Sequence, residues 1–570
     1  MMDVDKPPRR SSRKRSIIQA DPANTSRPPK KPKTQAQQQE TKDDTPTSYL
    51  RIYCLGSNDN GELGLGAGHG IGDVRVPTLN PFLSWPFSPP DPPSKDDAKK
   101  ASPPPPTIKN KVTQLATGGM HSAALTTTNE ILTWGVNDNG ALGRDTSSAR
   151  LEELIHNLTL QDDHHHHHLS LQNDDDHNDD DHNDDDHNDD DHNDDDHNDD
   201  DHNDDDNESD FDLNILEAKP HPVLFFDGTA TTPTPPSQTP QWKALTACDS
   251  ATFALSSTGQ VYGWGCTRSS QGISLWTPHL QTQPTPAPIP LDEPIRKIAA
   301  GGNHVLALTD QGQVYTWGAG CEQGQLGRRL PQRGHSLLSC AVTPRKIKLK
   351  NIVDIATGPD HCFAVGKDGE VWGWGLDNYG QTGVSWKGEG GGCWGLFVEE
   401  PTRVKNLEEI VKGGGGRKIK RLAGGNSHSL CLLDDGSVWS WGRVDSCATG
   451  VDLEGVKRER GEGWEEEWVV KDSRGRARIV LCPVRILPQS EDEHDRIRWV
   501  EAGAEHGVAV TEDGRVLSWG FNLSHQTGHR GEEEVKVPRV VGMKGKLEGV
   551  KFSWAGAGGH FTMLGEEVGL

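Results

Sequence analysis

None of the ten cysteines stands in a Cys-x-x-Cys pair, and their irregular spacing excludes the common zinc and dithiol motifs. The N-terminal stretch is basic and proline-rich, with no apolar core of the kind a signal peptide needs. No stretch is apolar for long enough to cross a bilayer as a helix. No Gly-x-x-x-x-Gly-Lys-Ser/Thr occurs, so glycine runs such as residues 413–416 read as flexible loops and not as phosphate cradles. These absences leave a soluble protein of a reducing compartment, without membrane association or cofactor. Its cysteines are expected to pack as small hydrophobes.

Positive charge is missing from one long segment. Residues 162–212 hold twenty-five Asp and one Glu without a single Lys or Arg, which equals the formal charge of -26 on the whole chain. Within it Asp-Asp-Asp-His-Asn repeats over residues 174–203; such a run repels itself, buries nothing and is expected to be disordered. Its histidines, with residues 164–168, lack a defined geometry, and no metal site is expected there. Residues 1–42 have the opposite bias, eleven Lys or Arg against four Asp or Glu. Two clusters, around Arg9–Arg15 and Lys30–Lys33, read as a nuclear import signal recognised by an import receptor, and secondarily as a DNA-backbone contact.

What is abundant is an internal repeat. Six segments run from a Gly-x-x-His motif, or its degenerate form, to Trp-Gly: residues 118–135, 246–265, 301–318, 358–375, 425–442 and 503–520. The histidine position precedes the closing glycine by fourteen residues each time, with Ala251 replacing histidine in the second copy. Each copy reads as a hairpin. A short apolar strand leads to a turn such as Asp310-Gln311-Gly312 or Asp434-Asp435-Gly436, and an aromatic strand follows. Asn129 takes the turn glycine's place in the first copy, as the other residue that tolerates the left-handed region.

A lone hairpin cannot bury its apolar face, so such units must stack. The chain ends favour a ring over a linear stack. A seventh copy starts at Gly556, reaches His560 and stops before any Trp-Gly strand, while a matching strand stands alone at residues 50–56. The expected architecture is all-β: a seven-bladed β-propeller over residues 49–570, closed by the N-terminal strand joining the C-terminal blade. A disordered basic tail (residues 1–48) precedes it, and the acidic insertion (162–212) interrupts it. Further insertions at 385–418 and 445–496, rich in glycine and charge, are expected to protrude from one face. The repeat histidines, one per unit, are expected to form structural hydrogen bonds, with His121 reserved for partner contact. The tryptophans Trp134, Trp264, Trp317, Trp374, Trp441 and Trp519 are expected to pack between blades.

The unit Gly-Gly-x-His…Gly-x-Val-Tyr-x-Trp-Gly resembles the regulator of chromosome condensation repeat. The run Trp134-Gly135-Val136-Asn137-Asp138-Asn139-Gly140-Ala141-Leu142-Gly143-Arg144-Asp145-Thr146 is similar to the branch of that family that exchanges guanine nucleotide on the small GTPase Ran, as is Gly324-Gln325-Leu326-Gly327-Arg328. The resemblance implies a nuclear exchange factor without covalent chemistry, supporting nucleocytoplasmic transport and chromosome and spindle organisation. Its partners would be a Ran-type GTPase, an import receptor and chromatin, through histones and the DNA backbone. It further implies a β-wedge at residues 267–274, including Thr267, Arg268, Ser269, Ser270 and Gly272. Partner-facing positions carry over to Asp59, His121, Asp249 and Arg328, and to Asn303, where the family's aspartate is replaced by an amide. The competing reading is a propeller scaffold or adaptor without exchange activity. An enzyme with a site in the central channel finds no nucleophile, base and orienting group standing out from the repeat.

Overall fold

Apolar strands separated by Asp-Gly or Asn turns form antiparallel hairpins, and the computed structural model contains them where the repeat places them. It describes residues 48–66, 72–83, 111–147, 149–150, 214–225, 238–331, 335–385, 396–413, 416–461, 463–486, 496–543 and 545–569. The basic tail and the acidic insertion lie outside the described residues. In the fourth copy His361–Gly366 pairs with Val371–Leu376, His361 lying opposite Gly375. The same register joins His121 to Gly135, Ala251 to Gly265, His428 to Gly442 and His506 to Gly520. Asn129, Gly259, Gly312, Gly369, Gly436 and Gly514 all turn with φ between 65° and 93°, the region in which an ordinary side chain is strained.

Each hairpin is the middle of a larger sheet. In the fourth copy Ile352–Thr357 adds on one side and Phe397–Arg403 on the other, giving four antiparallel strands. The fold is all-β and propeller-like. The leading strands Val112–Thr117, Trp242–Ala247, Ile295–Ala300, Ile352–Thr357, Ile419–Gly424, Ile497–Ala502 and Phe552–Ala557 lie beside one another in that order, and the last lies beside the first. They line a cavity of about 700 Å³. Ser48–Gly56 pairs along its whole length with Phe561–Gly569.

That register corrects the reading of the seventh copy. Gly56 lies opposite Phe561, and the Gly558 N–H donates to the Phe561 carbonyl as that of Gly118 does to His121. Phe561 therefore occupies the repeat's histidine place, buried among apolar side chains, and His560 is exposed one residue earlier. The insertion at 445–496 also differs from expectation. Its described part is packed: Val469–Lys471 adds a fifth strand to its sheet, and Val456 and Trp464, from two short helices, join the core.

The recurrence of Trp-Gly and of a later glycine is explained where sheets meet. Trp134, Trp264, Trp374, Trp441 and Trp519 are buried, and each indole N–H donates to a carbonyl of the preceding copy's exit loop. The acceptors are Glu62, Ala141, Gln325, Gln381 and Ala448, at 2.9–3.0 Å. Two residues after each acceptor a glycine (Gly64, Gly143, Gly327, Gly383, Gly450) crosses the indole with φ between 60° and 71°, where a Cβ would lie 2.7–3.0 Å from the ring. Glycine is thus required twice over, by conformation and by close approach.

Four of the repeat histidines work at the same seams, while His428 is buried with neither ring nitrogen bonded among the described residues, contrary to the expected structural hydrogen bond. His121, His361 and His506 each present Nε2 to a hydroxyl of the following copy: Thr252, Ser429 and Thr562, at 2.7–2.9 Å. Those hydroxyls donate onward to the carbonyls of Ala141, Gln381 and Gln526, so each ring donates from Nε2. His304 meets Cys362 Sγ in the same way. Burial pushes His121, His304 and His428 down to about 4, and His361 and His506 to about 3. Among the described residues Cys54, Cys248, Cys266, Cys321, Cys362, Cys431 and Cys482 are buried free thiols as expected, whereas Cys447 is half-buried and Cys340 exposed.

These rings set an acid limit on stability. A histidine whose folded pKa lies below its unfolded value contributes fully above about pH 6.5, and its contribution is lost as pH falls towards the folded pKa. Raised carboxyls at Asp377, Asp249 and Asp360, all driven first by burial, act in the opposite sense. Unfolding titrations between pH 6.5 and 4 should therefore show net uptake of about two or more protons, with stability falling steeply. A denaturation midpoint that is flat over this window would contradict the buried neutral state.

Candidate functional site

Each aromatic strand leaves its sheet at Trp-Gly or its equivalent, and the next backbone amides are tied to the residue before the histidine position. Val136 donates to Met120, Cys266 to Ser250, Gly320 to Asn303, Leu376 to Asp360, Arg443 to Ser427, Phe521 to Glu505 and Ser57 to His560. The exit loops and the Gly-x-x-His turns therefore share one face of the molecule. In the second copy no glycine brace follows the strand. A small hairpin stands there, Thr267–Arg268 paired with Ser274–Leu275.

The hairpin is built by short polar residues. Ser269 is buried at its neck, and its Oγ accepts from the amides of Gln271 and Ile273, 3.3 and 3.2 Å away. Gly272 turns with φ +77° and donates to the Ser269 carbonyl. Thr267 is buried at the base, where its Oγ1 donates to the Leu275 carbonyl and accepts from the Ala319 amide. The tip, Ser270 to Ile273, is exposed and ends in an apolar side chain 47% accessible to solvent.

Asn303 and Asp249 adjoin this hairpin. Asn303 Oδ1 accepts from the Arg268 backbone amide at 2.7 Å, and its Nδ2 donates to Asp249 at 3.3 Å. The amide thus bridges two groups that an aspartate could not, since a second carboxylate would face Asp249 without a donor. Surrounding protein and the negative Asp360 raise the Asp249 carboxyl. Asp360, held by Gln325 Nε2 at 3.1 Å, is raised by burial and by Glu322. Neither carboxylate has an ion-pair partner among the described residues. Asp59 is exposed on another loop of the same face, bonded to Ser57 Oγ.

Two expected contact residues are otherwise employed. His121 is fully buried and spans a seam to Thr252, so its ring is not available on the surface. Arg328 donates to the carbonyls of Thr316, Cys340, Ala341 and Thr343, closing the C-terminal end of the helix His335–Val342. A cation there meets the exposed carbonyls and the negative end of the helix dipole. Arg144 bonds Thr133 similarly, which explains the arginine after Leu-Gly as a structural tie. Arg328→Ala should cost about 2–3 kcal/mol of stability, and Arg328→Lys should recover only part, because an ammonium cannot reach the same set of carbonyls. Urea midpoints of the two variants measure this; an unchanged midpoint for Arg328→Ala would return Arg328 to the contact surface.

Sequence reasoning passed over Asp360 and Glu322. Asp360 stands before His361 as Asn303 stands before His304, so the repeat itself carried that signal. Glu322 has no comparable marker. The site as a whole offers a projecting hairpin beside buried and exposed polar groups on one face.

Residues 51–564 match the family model described as the RCC1-like domain. "Guanine nucleotide exchange factor SRM1" of Saccharomyces cerevisiae is 30% identical over 520 residues, covering 90% of this chain and 87% of that protein. "Protein pim1" of Schizosaccharomyces pombe is 31% identical over 520 residues, covering 91% of this chain and 75% of its own length. The crystal structure of Prp20p from Saccharomyces cerevisiae superposes with a TM-score of 0.65 at 28% identity, covering 92% of this chain and 93% of Prp20p. The chain belongs to the RCC1-like domain family.

Proposed function

We propose that this chain promotes nucleotide release from a Ran-type small GTPase, working from the face that carries the hairpin at residues 267–275. The observation that carries the reading is that hairpin: it replaces the seam-bracing loop in one copy and projects an ordered tip. Relatives across nine-tenths of the chain include a named exchange factor. The scaffold is read as seven blades closed by Ser48–Gly56; the neighbouring order of the leading strands supports that count and closure.

No covalent step is needed. A protein that binds the nucleotide-free GTPase more tightly than the loaded form must weaken nucleotide binding by the same factor. The direction of net exchange follows from the nucleotide pool. Asp249, Asn303 and Asp59 are proposed to contact the GTPase, with Ser270 and Gly272 entering at the wedge tip and Thr267, Arg268 and Ser269 supporting it. The place of action is the nucleus. Prp20p was solved together with a study of its binding to Gsp1p and histones, and yeast RCC1 was solved bound to Kap60. The basic clusters in residues 1–42 fit an import receptor and DNA phosphates in the same way. To test the reading, Ran loaded with a fluorescent guanine nucleotide is mixed with substoichiometric protein. Multiple-turnover release is expected; release at the intrinsic rate, with the protein folded, would remove the exchange function.

A further inference from the structure

We propose that Glu322 and Asp138, together with Asn303, act as positioning residues that hold the wedge in one conformation before the GTPase arrives. The inference rests on the exchange reading and adds to it a mechanism of preorganisation. The hairpin belongs to the second copy, but its fastenings come from both neighbours. On one side, in the third copy, Asn303 Oδ1 takes the Arg268 amide at 2.7 Å and Glu322 Oε1 takes the Ser270 amide at 3.3 Å. Glu322 is itself fixed, its other oxygen accepting from the Cys321 amide at 3.2 Å. On the other side, in the first copy, Asp138 pairs with the Arg268 guanidinium.

The physical argument concerns what the hairpin lacks. It has only two paired residues in each strand, and an isolated two-stranded ribbon is at best marginally stable in water. Its exposed tip buries little apolar surface that could hold it. Two backbone amides at successive alternate positions, 268 and 270, are instead satisfied by side chains of the next copy. These bonds direct the tip without covering it. A tool that is already ordered loses less conformational entropy on binding, and that difference appears where the tip does its work. Asp138 and Glu322 touch neither nucleotide nor substrate in this account; they act through the wedge backbone.

Two readouts on the full chain test this, one without the GTPase and one with it. Amide hydrogen exchange reads the fastening directly. Glu322→Ala should raise exchange at Ser270, and Asn303→Ala at Arg268, by about tenfold or more, while amides in His361–Gly366 stay protected and report an intact fold. Glu322→Gln keeps an acceptor oxygen and should retain most of the protection at Ser270. In nucleotide release, Glu322→Ala combined with Asp138→Ala should lower kcat about tenfold with KM changed less than twofold, and Glu322→Gln should restore it. Unchanged amide protection in both alanine variants would overturn the proposal, as would a loosened wedge with unchanged kcat. Absence of release by the wild-type protein fails the exchange reading instead, and the amide data still decide whether the side chains fasten the hairpin.

Discussion

A chain lacking residues 48–56 should not fold cooperatively, although every repeat histidine and every repeat Trp-Gly strand would remain. That strand pairs with Phe561–Gly569 over nine positions, and it buries Tyr49, Ile52, Tyr53, Cys54 and Leu55. Its loss would uncover Phe561, Met563 and Leu564 and open a long unpaired edge. Full burial of a large apolar side chain stabilises by about 1.5–3 kcal/mol, so four or five of them rival the whole of about 5–15 kcal/mol available to an ordinary domain. The deletion variant should elute as aggregate or expanded monomer and show no sigmoidal urea transition. A peptide spanning residues 46–58, added in trans, should restore part of the fold. A deletion variant with a wild-type urea midpoint would remove the closing role of this strand.

Replacing residues 269–273 by two glycines should have the opposite profile, leaving stability nearly unchanged and exchange nearly abolished. Apart from the Ser269 neck, these residues are exposed and contribute little to the core. The stem Thr267–Arg268 with Ser274–Leu275 keeps its own bonds to Asn303 and Ala319. Nucleotide release catalysed by this variant should fall about a hundredfold or more, equivalent to about 2.7 kcal/mol of lost transition-state stabilisation. Affinity for the GTPase should fall far less, because Asp249, Asn303 and Asp59 remain. Parallel measurement of release and binding separates the two effects. A variant that still releases nucleotide at the wild-type rate would transfer the work to another part of the face.

The two middle strands of each sheet were legible in the sequence because their signals are local. A fixed fourteen-residue spacing, a turn glycine or asparagine and a terminal Trp-Gly mark each hairpin. The flanking strands were not, since Ile352–Thr357 and Phe397–Arg403 are recognised as strands only by what they pair with. The seventh copy was misread by one residue because His560 looks like the repeat histidine. Burial of Phe561 decides the register, and burial is a property of the assembled sheet.

The site divides along the same line. The hairpin stands just after Trp264-Gly265, where the family resemblance put residues 267–274. The roles of His121 and Arg328 could not be located that way. Both belong to motifs that recur, and what they touch comes from distant parts of the chain: Thr252 on the next sheet for His121, and the end of a helix for Arg328. Asn303 looked like a weakened aspartate in isolation. Its value lies in having an acceptor for Arg268 and a donor for Asp249, which only the folded neighbourhood reveals.

The central claim is that this protein distinguishes an empty GTPase from a loaded one, and the most direct measurement is its affinity for both. Wild-type protein should bind nucleotide-free Ran much more tightly than Ran carrying GDP, and the ratio should equal the factor by which it weakens GDP binding. Equal affinities for the two forms would contradict the account, because a ligand that does not discriminate between two states cannot shift the balance between them.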